Sequence, residues 1–344
     1  MNPSKDAASF TESLLSWYRA NARDLPWRAD RAPYRVWLSE VMLQQTRATA
    51  VRPYFERFLR EFPTILDLAE ADEARLLKLW EGLGYYSRAR NLQKAARAIM
   101  EKHAGQFPRD PREISALPGI GAYTAGAIAS ICFEEAVPAV DGNVLRVMAR
   151  LTGDAAPADT PGQKRKVAET LRLLYPAEAR GDFTQSLMEL GALICLPGGA
   201  ALCGVCPVRA LCTALREDRV AKLPVKRAKK ARKKEEKTVL ILRCGDAIAL
   251  RRRERKGLLA GLWELPNADG TLCEAEVLRL AQAWGLRPRS VGEREERKHV
   301  FTHIEWHMTC YRVDCETRDA RFLWADARML ADEIALPSAF GKLL

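Results

Sequence analysis

The stretch Leu117-Pro-Gly-Ile-Gly-Ala-Tyr-Thr-Ala-Gly126 largely determines the fold expected for the first part of the chain. One helical segment ends before Gly119, a glycine-rich hairpin follows, and a new helix is expected to start at Ala122 or Tyr123. Glycine lets the backbone approach a ligand closely, and the free N–H groups at a helix start favour an anion. The stretch therefore predicts a helix–hairpin–helix that binds a phosphate through Gly119 and Gly121, although a plain turn is the simpler interpretation.

Apolar residues recur at helical spacing on both sides of this stretch, from residue 9 to about residue 195. Leu38 with Met42, and Leu187 with Leu190, are two examples. Proline and glycine turn signals separate the segments, and no run alternates long enough to indicate a sheet. The first part of the chain is therefore predicted to be all-α.

Composition limits the class of protein. A chain of 344 residues with 48% hydrophobic residues is long enough for about two domains with sizeable cores. The net charge of +11 favours a polyanionic partner, since excess positive charge attracts phosphates. No apolar run approaches the length of a membrane span, and Met1–Ala8 is polar, so we expect a cytoplasmic protein.

Four of the nine cysteines form the pattern Cys195-x7-Cys203-x2-Cys206-x5-Cys212. Clustered thiols in a chain without a secretion signal indicate metal ligation rather than disulfides. All-cysteine ligation suits either a [4Fe–4S] cluster or zinc. Zinc sites more often use two C-x2-C pairs, and only the middle pair here has that spacing, so the pattern favours iron–sulfur with a structural role.

Composition changes beyond residue 221. Residues 222–237 contain nine Lys or Arg, a density of like charge that resists packing, so we expect a solvated basic linker. Residues 238–344 then combine strand and helix patterns and predict an α+β domain. The strand candidates are Thr238–Leu242, Ala247–Arg251, Val300–Thr302, Thr309–Val313 and Arg321–Trp324, and the helix candidate is Cys273–Trp284.

The segment Val140-Asp-Gly-Asn-Val144 opens a further helix, with Asp141 where an N-cap would lie. Taken alone, Asp141 is an ordinary structural cap. Glu40 lies among Trp37, Val41 and Met42 on an apolar helix, where desolvation would raise its pKa. A lone helical Glu is more often a surface residue. Two carboxyls held in opposite protonation states could nevertheless serve acid–base chemistry.

The order of these features resembles that of the helix–hairpin–helix base-excision glycosylases of the endonuclease III superfamily. Within it, Trp37-Leu-Ser-Glu-Val-Met-Leu-Gln-Gln-Thr46 and Glu81-Gly-Leu-Gly-Tyr-Tyr-Ser-Arg-Ala-Arg-Asn91 resemble the MutY branch, the adenine glycosylases. The resemblance covers nearly the whole chain and implies a domain over 1–221 with a cluster loop at 195–212. The usual first cysteine gap of this family is six residues, against seven here.

The resemblance implies hydrolysis of the N-glycosidic bond of adenine mispaired with 8-oxoguanine or guanine. Glu40 would supply a proton to adenine N7, and Asp141, ionised at its helix start, would stabilise the sugar cation or attack it. Tyr123 and Asn143 would complete the site. Strand-cutting relatives place a Schiff-base lysine at position 123, and a phenol cannot form an imine, so a monofunctional enzyme that leaves an abasic site is expected.

The resemblance also implies residues that contact flipped or neighbouring bases. Gln45 and Tyr85 are expected to fill or wedge the base stack, with the adjacent Gln44 as a further candidate, and Gln185 is expected to lie near the adenine pocket. The alternative for Tyr85 is ordinary packing. The implied partner is double-stranded DNA, bound by a monomer at the nucleoid.

The segment 238–344 resembles the MutT-like domain that recognises 8-oxoguanine in this family. Gly257–Pro266 and the loop Phe301-Thr302-His303 carry the match. The family loop usually reads Phe-Ser-His, and Thr302 keeps the hydroxyl. The acidic helix with which related Nudix hydrolases hold Mg²⁺ does not follow Gly261, so pyrophosphatase activity is not expected.

Three other functions are compatible with parts of the sequence. A pyrimidine-lesion glycosylase/lyase of the same fold is disfavoured by Tyr123 and by the second domain. A non-enzymatic DNA-binding redox sensor is disfavoured by the pairing of Glu40 with Asp141. A nucleotide pyrophosphatase is disfavoured by the missing acidic helix.

Overall fold

The computed structural model describes residues 3–228 and 231–344. Met1 and Asn2, and Lys229 and Lys230 of the predicted basic linker, lie outside the described residues. By their mutual contacts the residues form two compact units: a first unit of Met1–Glu70 with Asn91–Ala228, and a second unit of Ala71–Arg90 with Lys229–Leu344. Among the described residues, no helix is both long and apolar enough to cross a membrane.

Helices make up the regular structure of the residues before 229, in agreement with the all-α prediction. They are α1 (Pro3–Asn21), α2 (Pro33–Leu43), α3 (Ala48–Glu61), α4 (Ile65–Glu70), α5 (Glu73–Leu79), α6 (Ser87–Lys102), α7 (Pro111–Ala116), α8 (Ala122–Phe133), α9 (Gly142–Thr152), α10 (Pro161–Arg172), α11 (Arg180–Leu193) and α12 (Thr213–Arg216).

The core of the first unit forms where helices distant in sequence pack together. Phe10 of α1, Met148 of α9 and Leu187 of α11 belong to one fully buried cluster, and Phe10 meets Phe183 edge to face. Helix α8 is short but almost wholly buried, which its Ala- and Gly-rich sequence permits because small side chains allow close approach. Helices α2 and α11 pack against α8, and α9 packs against α11.

The second unit is built on a mixed sheet, as the α+β prediction requires. Its strands are β1 (Lys233–Cys244), β2 (Ala247–Arg252), β3 (Trp263–Glu264), β4 (Asn267–Asp269), β5 (Pro288–Val291), β6 (Glu295–Val300), β7 (Ile304–Cys315) and β8 (Leu323–Ala325). The main order is β3-β2-β1-β7-β5; β4 also pairs with β1, β6 with β7, and β8 with β2. Strands β1 and β7 are parallel, whereas the other pairs are antiparallel.

Helices cover both faces of this sheet. On one face, Val277 and Ala281 of α13 (Glu274–Ala283) pack against Leu240 and Val313. The opposite face is covered by residues that include Phe340 of α15 (Ser338–Gly341), which follows α14 (Ala327–Asp332). Alternate residues of β1 and β7 therefore point into two separate cores, as strand periodicity requires.

Two sequence-based boundaries need correction. Strand β1 begins at Lys233, inside the expected linker 222–237, because its backbone pairs with β7 from Lys233↔Ile304 onward while its charged side chains remain mostly exposed. The predicted strand Val300–Thr302 is also wrong. Strand β6 ends at Val300, and residues 301–303 form the turn into β7, closed by the Phe301 N–H donating to the Ile304 carbonyl at 2.8 Å.

Candidate active site

Glu40 is a buried carboxylic acid on α2. The helix begins with Pro33 at its first turn and buries the seven consecutive residues 36–42, Glu40 among them at 6% exposure. Burial raises the pKa of Glu40 to about 7; the hydrogen bond from Tyr123 and the charge of Arg28 lower it, and Asp141 raises it. The sequence-based expectation of a raised pKa is thus confirmed, and about half of the Glu40 side chains keep their proton near pH 7.

Tyr123 lies in the first turn of α8, which starts at Ala122 as predicted. Its hydroxyl donates to Glu40 Oε2 at 2.5 Å and lies 3.8 Å from the sulfur of Met188. Burial and the neighbouring carboxyls raise the pKa of Tyr123 well above its ordinary value. The phenol therefore stays neutral and acts as a hydrogen-bond donor to the acid.

Asp141 is the N-cap of α9, as its sequence position indicates. It accepts hydrogen bonds from the Val144 N–H at 2.7 Å and from the side-chain amide of Asn143 at 2.9 Å. The expectation that the helix start lowers its pKa is wrong: burial raises the pKa of Asp141 and outweighs the opposing effects of these hydrogen bonds and of Arg146. Both carboxyls of the site are therefore shifted in the same direction.

The hairpin between α7 and α8 uses its two predicted glycines differently. Gly119 has φ +77°, and a Cβ there would lie 2.6 Å from Cβ of Asn91, so both conformation and packing require glycine. Gly121 is the exposed N-cap of α8, and a Cβ there would meet no atom within 4 Å. Gly121 therefore leaves open space in front of the first N–H groups of the helix.

The predicted base-contacting residues of the first unit lie at the ends and faces of helices around Glu40. Gln44 caps the C-terminus of α2, and its amide donates to the Thr124 hydroxyl at 3.4 Å. Gln45 is exposed and has φ +59°, a strained conformation for a residue with a side chain. Gln185 is half-buried on α11, one turn before Met188, the residue in contact with Tyr123.

The four predicted metal ligands lie together in the loops after α11. Cys195, Cys203, Cys206 and Cys212 are all half-buried and line one small cavity of about 30 Å³. Burial raises the pKa of Cys206 to about 11, and the other three thiols contribute to the rise. Arg150 is buried beside them and donates to Cys195 Sγ at 3.2 Å and to the Leu196 carbonyl at 2.7 Å.

Sequence reasoning missed Arg146, which connects this loop to the active site. Arg146 is buried on α9, and its guanidinium donates to the carbonyls of Cys195 and Gly191 and to Asn143 Oδ1, at 2.7, 2.7 and 2.9 Å. Gly191 packs so closely that a Cβ there would lie 2.5 Å from that of Asn143. The sequence does contain one sign of it: Arg146 is a charged residue between two apolar ones, Leu145 and Val147, on the predicted helix, and the structure shows that both neighbours are buried.

A second missed group is a buried carboxylate with two arginines. Glu189 of α11 is fully buried and accepts from Arg23 Nε and Nη2, both at 2.7 Å, and from Arg28 Nη2 at 2.8 Å. Burial opposes ionisation, but the hydrogen bonds from the two arginines hold the pKa of Glu189 at about 2. Arg28 ends a 3₁₀ turn over Pro26–Arg28, just before α2.

The second unit brings the predicted wedge Tyr85 to the predicted lesion loop. Tyr85 is 47% exposed, has φ +47°, and shares a hydrogen bond of 3.0 Å with the hydroxyl of Thr302. Phe301 packs edge to face against His299 and Trp306, while His303 is exposed at the end of the turn. Tyr86 is buried, as expected for one member of the pair.

These groups line a cavity of about 670 Å³ within the second unit. Its walls come from residues 82–90, the turn 257–262, the loop 299–304 and residues 337–339, with Arg232 at the edge. Lys78 fixes the first of these segments by donating to Glu81 and to the carbonyls of Leu330 and Ile334, at 2.6, 2.7 and 3.1 Å. Glu81 in turn accepts from the Leu336 N–H at 2.7 Å.

The fold and the site define a base-excision protein of the helix–hairpin–helix class. The sequence profile described as HhH-GPD superfamily base excision DNA repair protein matches residues 38–176, and that of the NUDIX domain matches residues 238–344. A solved thermostable thymine-DNA glycosylase is 27% identical with a TM-score of 0.57, over 62% of this chain and 98% of its own. An endonuclease III–DNA complex, 24% identical with a TM-score of 0.54, shares the fold over 63% of this chain and 98% of its own.

Comparison with curated proteins identifies the family. The adenine DNA glycosylase of Rattus norvegicus is 34% identical over 97% of this chain and 78% of its own length. That of Buchnera aphidicola subsp. Schizaphis graminum is 31% identical over 97% of both chains. This chain belongs to the adenine DNA glycosylase family, which confirms the predicted family and fold class.

Proposed function

We propose that this protein hydrolyses the N-glycosidic bond of adenine mispaired with 8-oxoguanine or guanine in double-stranded DNA and leaves an abasic site. The observation that carries the proposal is a carboxylic acid, Glu40, whose pKa is raised to about 7 at a site shared with Tyr123 and Asp141. Adenine is a poor leaving group unless it is protonated, so an acid that keeps its proton near neutrality is the group this reaction requires.

Glu40 is proposed to donate its proton to N7 of the adenine. Because the Tyr123 hydroxyl donates to Oε2, it leaves Oε1 for the proton that moves to the base. The C1′–N9 bonding pair then departs with the base. Water adds to C1′, and its proton returns to the Glu40 carboxylate, which restores the acid for another turnover.

Asp141 is proposed to stabilise the positive charge that develops on the sugar, or to bond to C1′ transiently as in retaining glycosidases. Asn143 holds the Asp141 carboxyl through its amide, and Arg146 orients Asn143 from the other side. This chain of hydrogen bonds supports a fixed orientation for the carboxylate. Tyr123, a phenol, cannot form the imine of a lyase, which supports a monofunctional reaction.

Recognition of the opposite base is assigned to Tyr85 and the loop 301–303 of the second unit, with Gln45 of the first unit as a further base contact. Tyr85 and Gln45 both adopt left-handed backbone conformations, and strain of that kind is often found at functional positions. We propose that they wedge the base stack, and that Thr302, Phe301 and His303 contact 8-oxoguanine. 8-Oxoguanine presents an N7–H where guanine has an acceptor, and the Thr302 hydroxyl can accept from it.

We propose that Cys195, Cys203, Cys206 and Cys212 hold a [4Fe–4S] cluster. Among residues 3–228 and 231–344, no three ligating side chains are arranged as one metal ion requires. The four thiols line one cavity, only one of their spacings is the C-x2-C typical of zinc sites, and the Arg150 guanidinium beside Cys195 would offset the negative charge of a thiolate-bound cluster. Such a cluster would close the loop structurally.

The decisive test is single-turnover release of adenine from duplexes with adenine opposite 8-oxoguanine, guanine or thymine, with and without alkali. We expect alkali-dependent cleavage of the adenine strand alone, fastest opposite 8-oxoguanine. Cleavage without alkali would instead support a lyase. No release from any duplex by protein with intact metal content would overturn the proposal.

Metal analysis of the purified protein tests the cofactor separately. We expect about four iron atoms and four sulfides per chain, with loss of both in Cys203→Ser. Cys273→Ser changes an exposed cysteine of the second unit and serves as the matched control. Zinc in a one-to-one ratio would contradict the cluster.

A further inference from the structure

The buried ion-pair group of Glu189, Arg23 and Arg28 has no part in the reaction as described so far. A fully buried carboxylate is costly unless it is paired, and here four hydrogen bonds satisfy it, including one from the Arg23 backbone N–H at 3.0 Å. Such an arrangement could simply fasten α11 to the segment before α2. Its relation to Glu40 points to more than that.

Helix α11 brings the group to the acid: Met188, the residue before Glu189, has its sulfur 3.8 Å from the Tyr123 hydroxyl that binds Glu40, and Arg28 is the cation of the group that acts on Glu40. Its side chain is 16% exposed, its Nη1 donates to the Arg23 carbonyl at 3.2 Å, and its guanidinium lies 5.7 Å from the centre of the Tyr18 ring. The guanidinium charge lowers the pKa of Glu40. Because the group is largely buried, its charge is poorly screened by water.

The charged and titratable groups that influence Glu40 come from several elements. Tyr123 of α8 donates a hydrogen bond, Asp141 before α9 raises the pKa of Glu40, and Arg28 lowers it. Cys132 of α8 is also near enough for the charge of Glu40 to affect its own pKa. Arg28 is the positively charged member of this set, and Glu189 is the carboxylate bound to it.

We propose that Glu189 is a positioning residue for Glu40 that acts through Arg28: its carboxylate fixes the Arg28 guanidinium and neutralises much of the positive charge that Arg28 presents to the acid. Glu189 thereby keeps Glu40 protonated at the pH of the reaction. Without it, an uncompensated guanidinium would favour the ionised form of Glu40 and remove the proton that the base requires. The inference deepens the proposed function and rests on the assignment of Glu40 as the acid.

The test is a titration of Glu40 in the free full-length protein by ¹³C NMR of carboxyl-labelled glutamate, with the Glu40 signal identified by its loss in Glu40→Gln. In Glu189→Gln the pKa of Glu40 should fall, since an Arg28 guanidinium without its partner carboxylate favours the ionised form of the acid. In Arg28→Met it should rise. In the double variant, loss of Glu189 should cause little further change.

Arg31→Met is the matched control, because Arg31 pairs with Glu134 and Asp182 instead and is 45% exposed. It should leave the Glu40 titration unchanged. If Glu189→Gln fails to fold, Glu189→Asp keeps the charge but shortens its reach, and a smaller fall is expected. Equal pKa values in all variants, or shifts of the same sign in Arg28→Met and the Glu189 variants, would overturn the proposal.

The titration needs no substrate, so its result is separable from that of the base-release assay. If the wild-type protein releases no adenine but the shifts have opposite signs, the proposed function fails and the electrostatic coupling stands. If adenine is released and the shifts are absent, Glu189 is a structural anchor only. If the enzyme is active, the pH at which the single-turnover rate begins to fall should decrease in the Glu189 variants and increase in Arg28→Met, as the pKa of Glu40 does.

Discussion

Glu40 of the first unit is 6% exposed and hydrogen-bonded to Tyr123, whereas Thr302 of the second unit lies exposed on a turn and shares its hydrogen bond with Tyr85, itself 47% exposed. Burial at Glu40 changes chemistry, because it moves the pKa of the acid toward neutrality. Exposure at Thr302 leaves its hydroxyl accessible to solvent and to a ligand. Under the proposed function the first region carries out the reaction and the second distinguishes the opposite base, so substitutions should affect rate in one and selectivity in the other.

The largest effect is expected for Glu40→Gln. Loss of a general acid costs about 10²- to 10⁴-fold, so adenine release should fall by roughly 10³-fold or more while DNA binding persists. Asp141→Asn should behave similarly. Single-turnover assays with a binding titration measure both quantities, and Glu56→Gln on the exposed face of α3 is the matched control. Near-normal turnover in either active-site variant would refute the assignment of that residue.

Salt should reduce the affinity for DNA without changing the preference for 8-oxoguanine over guanine. The attraction of basic residues to phosphates involves neither the Glu40 site nor the Thr302 loop. Four phosphate contacts would lower affinity by roughly a hundredfold between 50 and 200 mM salt. In Lys226→Gln with Arg227→Gln, the slope of log affinity against log salt should be smaller by about two. Titrations at four salt concentrations suffice, and a flat response of the wild type would exclude the basic segment as a contact surface.

The pH dependence should report the acid directly. A raised pKa keeps Glu40 protonated up to about pH 7, so activity is retained below that value and lost above it. The single-turnover rate should therefore fall about tenfold per pH unit above roughly pH 7. The ratio of the single-turnover rates with 8-oxoguanine and with guanine opposite adenine should not change with pH in this range. A rate that stays flat to pH 9 would contradict general-acid catalysis by Glu40.

The smallest effect is expected for Thr302→Val. Removing one hydroxyl of an exposed hydrogen bond costs about 1 kcal/mol, so preference for 8-oxoguanine over guanine should fall by roughly five-fold. The rate with guanine opposite adenine should stay unchanged. Thr271→Val, at an exposed position of the same unit, is the control. An equal loss with both substrates would mean that Thr302 serves the reaction rather than selectivity.

The sequence predicted the placement of residues that depends on local context. Glu40 on an apolar helix, Asp141 at a helix start and the clustered cysteines were all recognisable from neighbours within a few residues. It failed where distant segments meet. The direction of the Asp141 pKa depends on burial by several helices, and the ion pair of Arg28 with Glu189 joins residues 161 positions apart.

Segment 71–90 of the second unit is another case in which contacts between distant segments could not be predicted from the sequence. Its residues fall within the HhH-GPD match, yet they pack with the C-terminal residues, through bonds such as that from Lys78 to the Leu330 carbonyl. Periodicity cannot reveal this, because a hydrogen bond from lysine to a backbone carbonyl leaves no pattern in either segment. Family motifs located Tyr85 and Thr302 separately, and the structure supplies their contact.

The close approach of Gly191 to Asn143 has a bearing on how natural variants should be interpreted. A methyl group at position 191 would collide with Asn143, the residue that orients Asp141, at a Cβ–Cβ distance of 2.5 Å. An alanine allele there would look conservative and would leave every reacting group unaltered. Under the proposed function its product should nevertheless release adenine slowly, since the defect lies in the spacing of two helices.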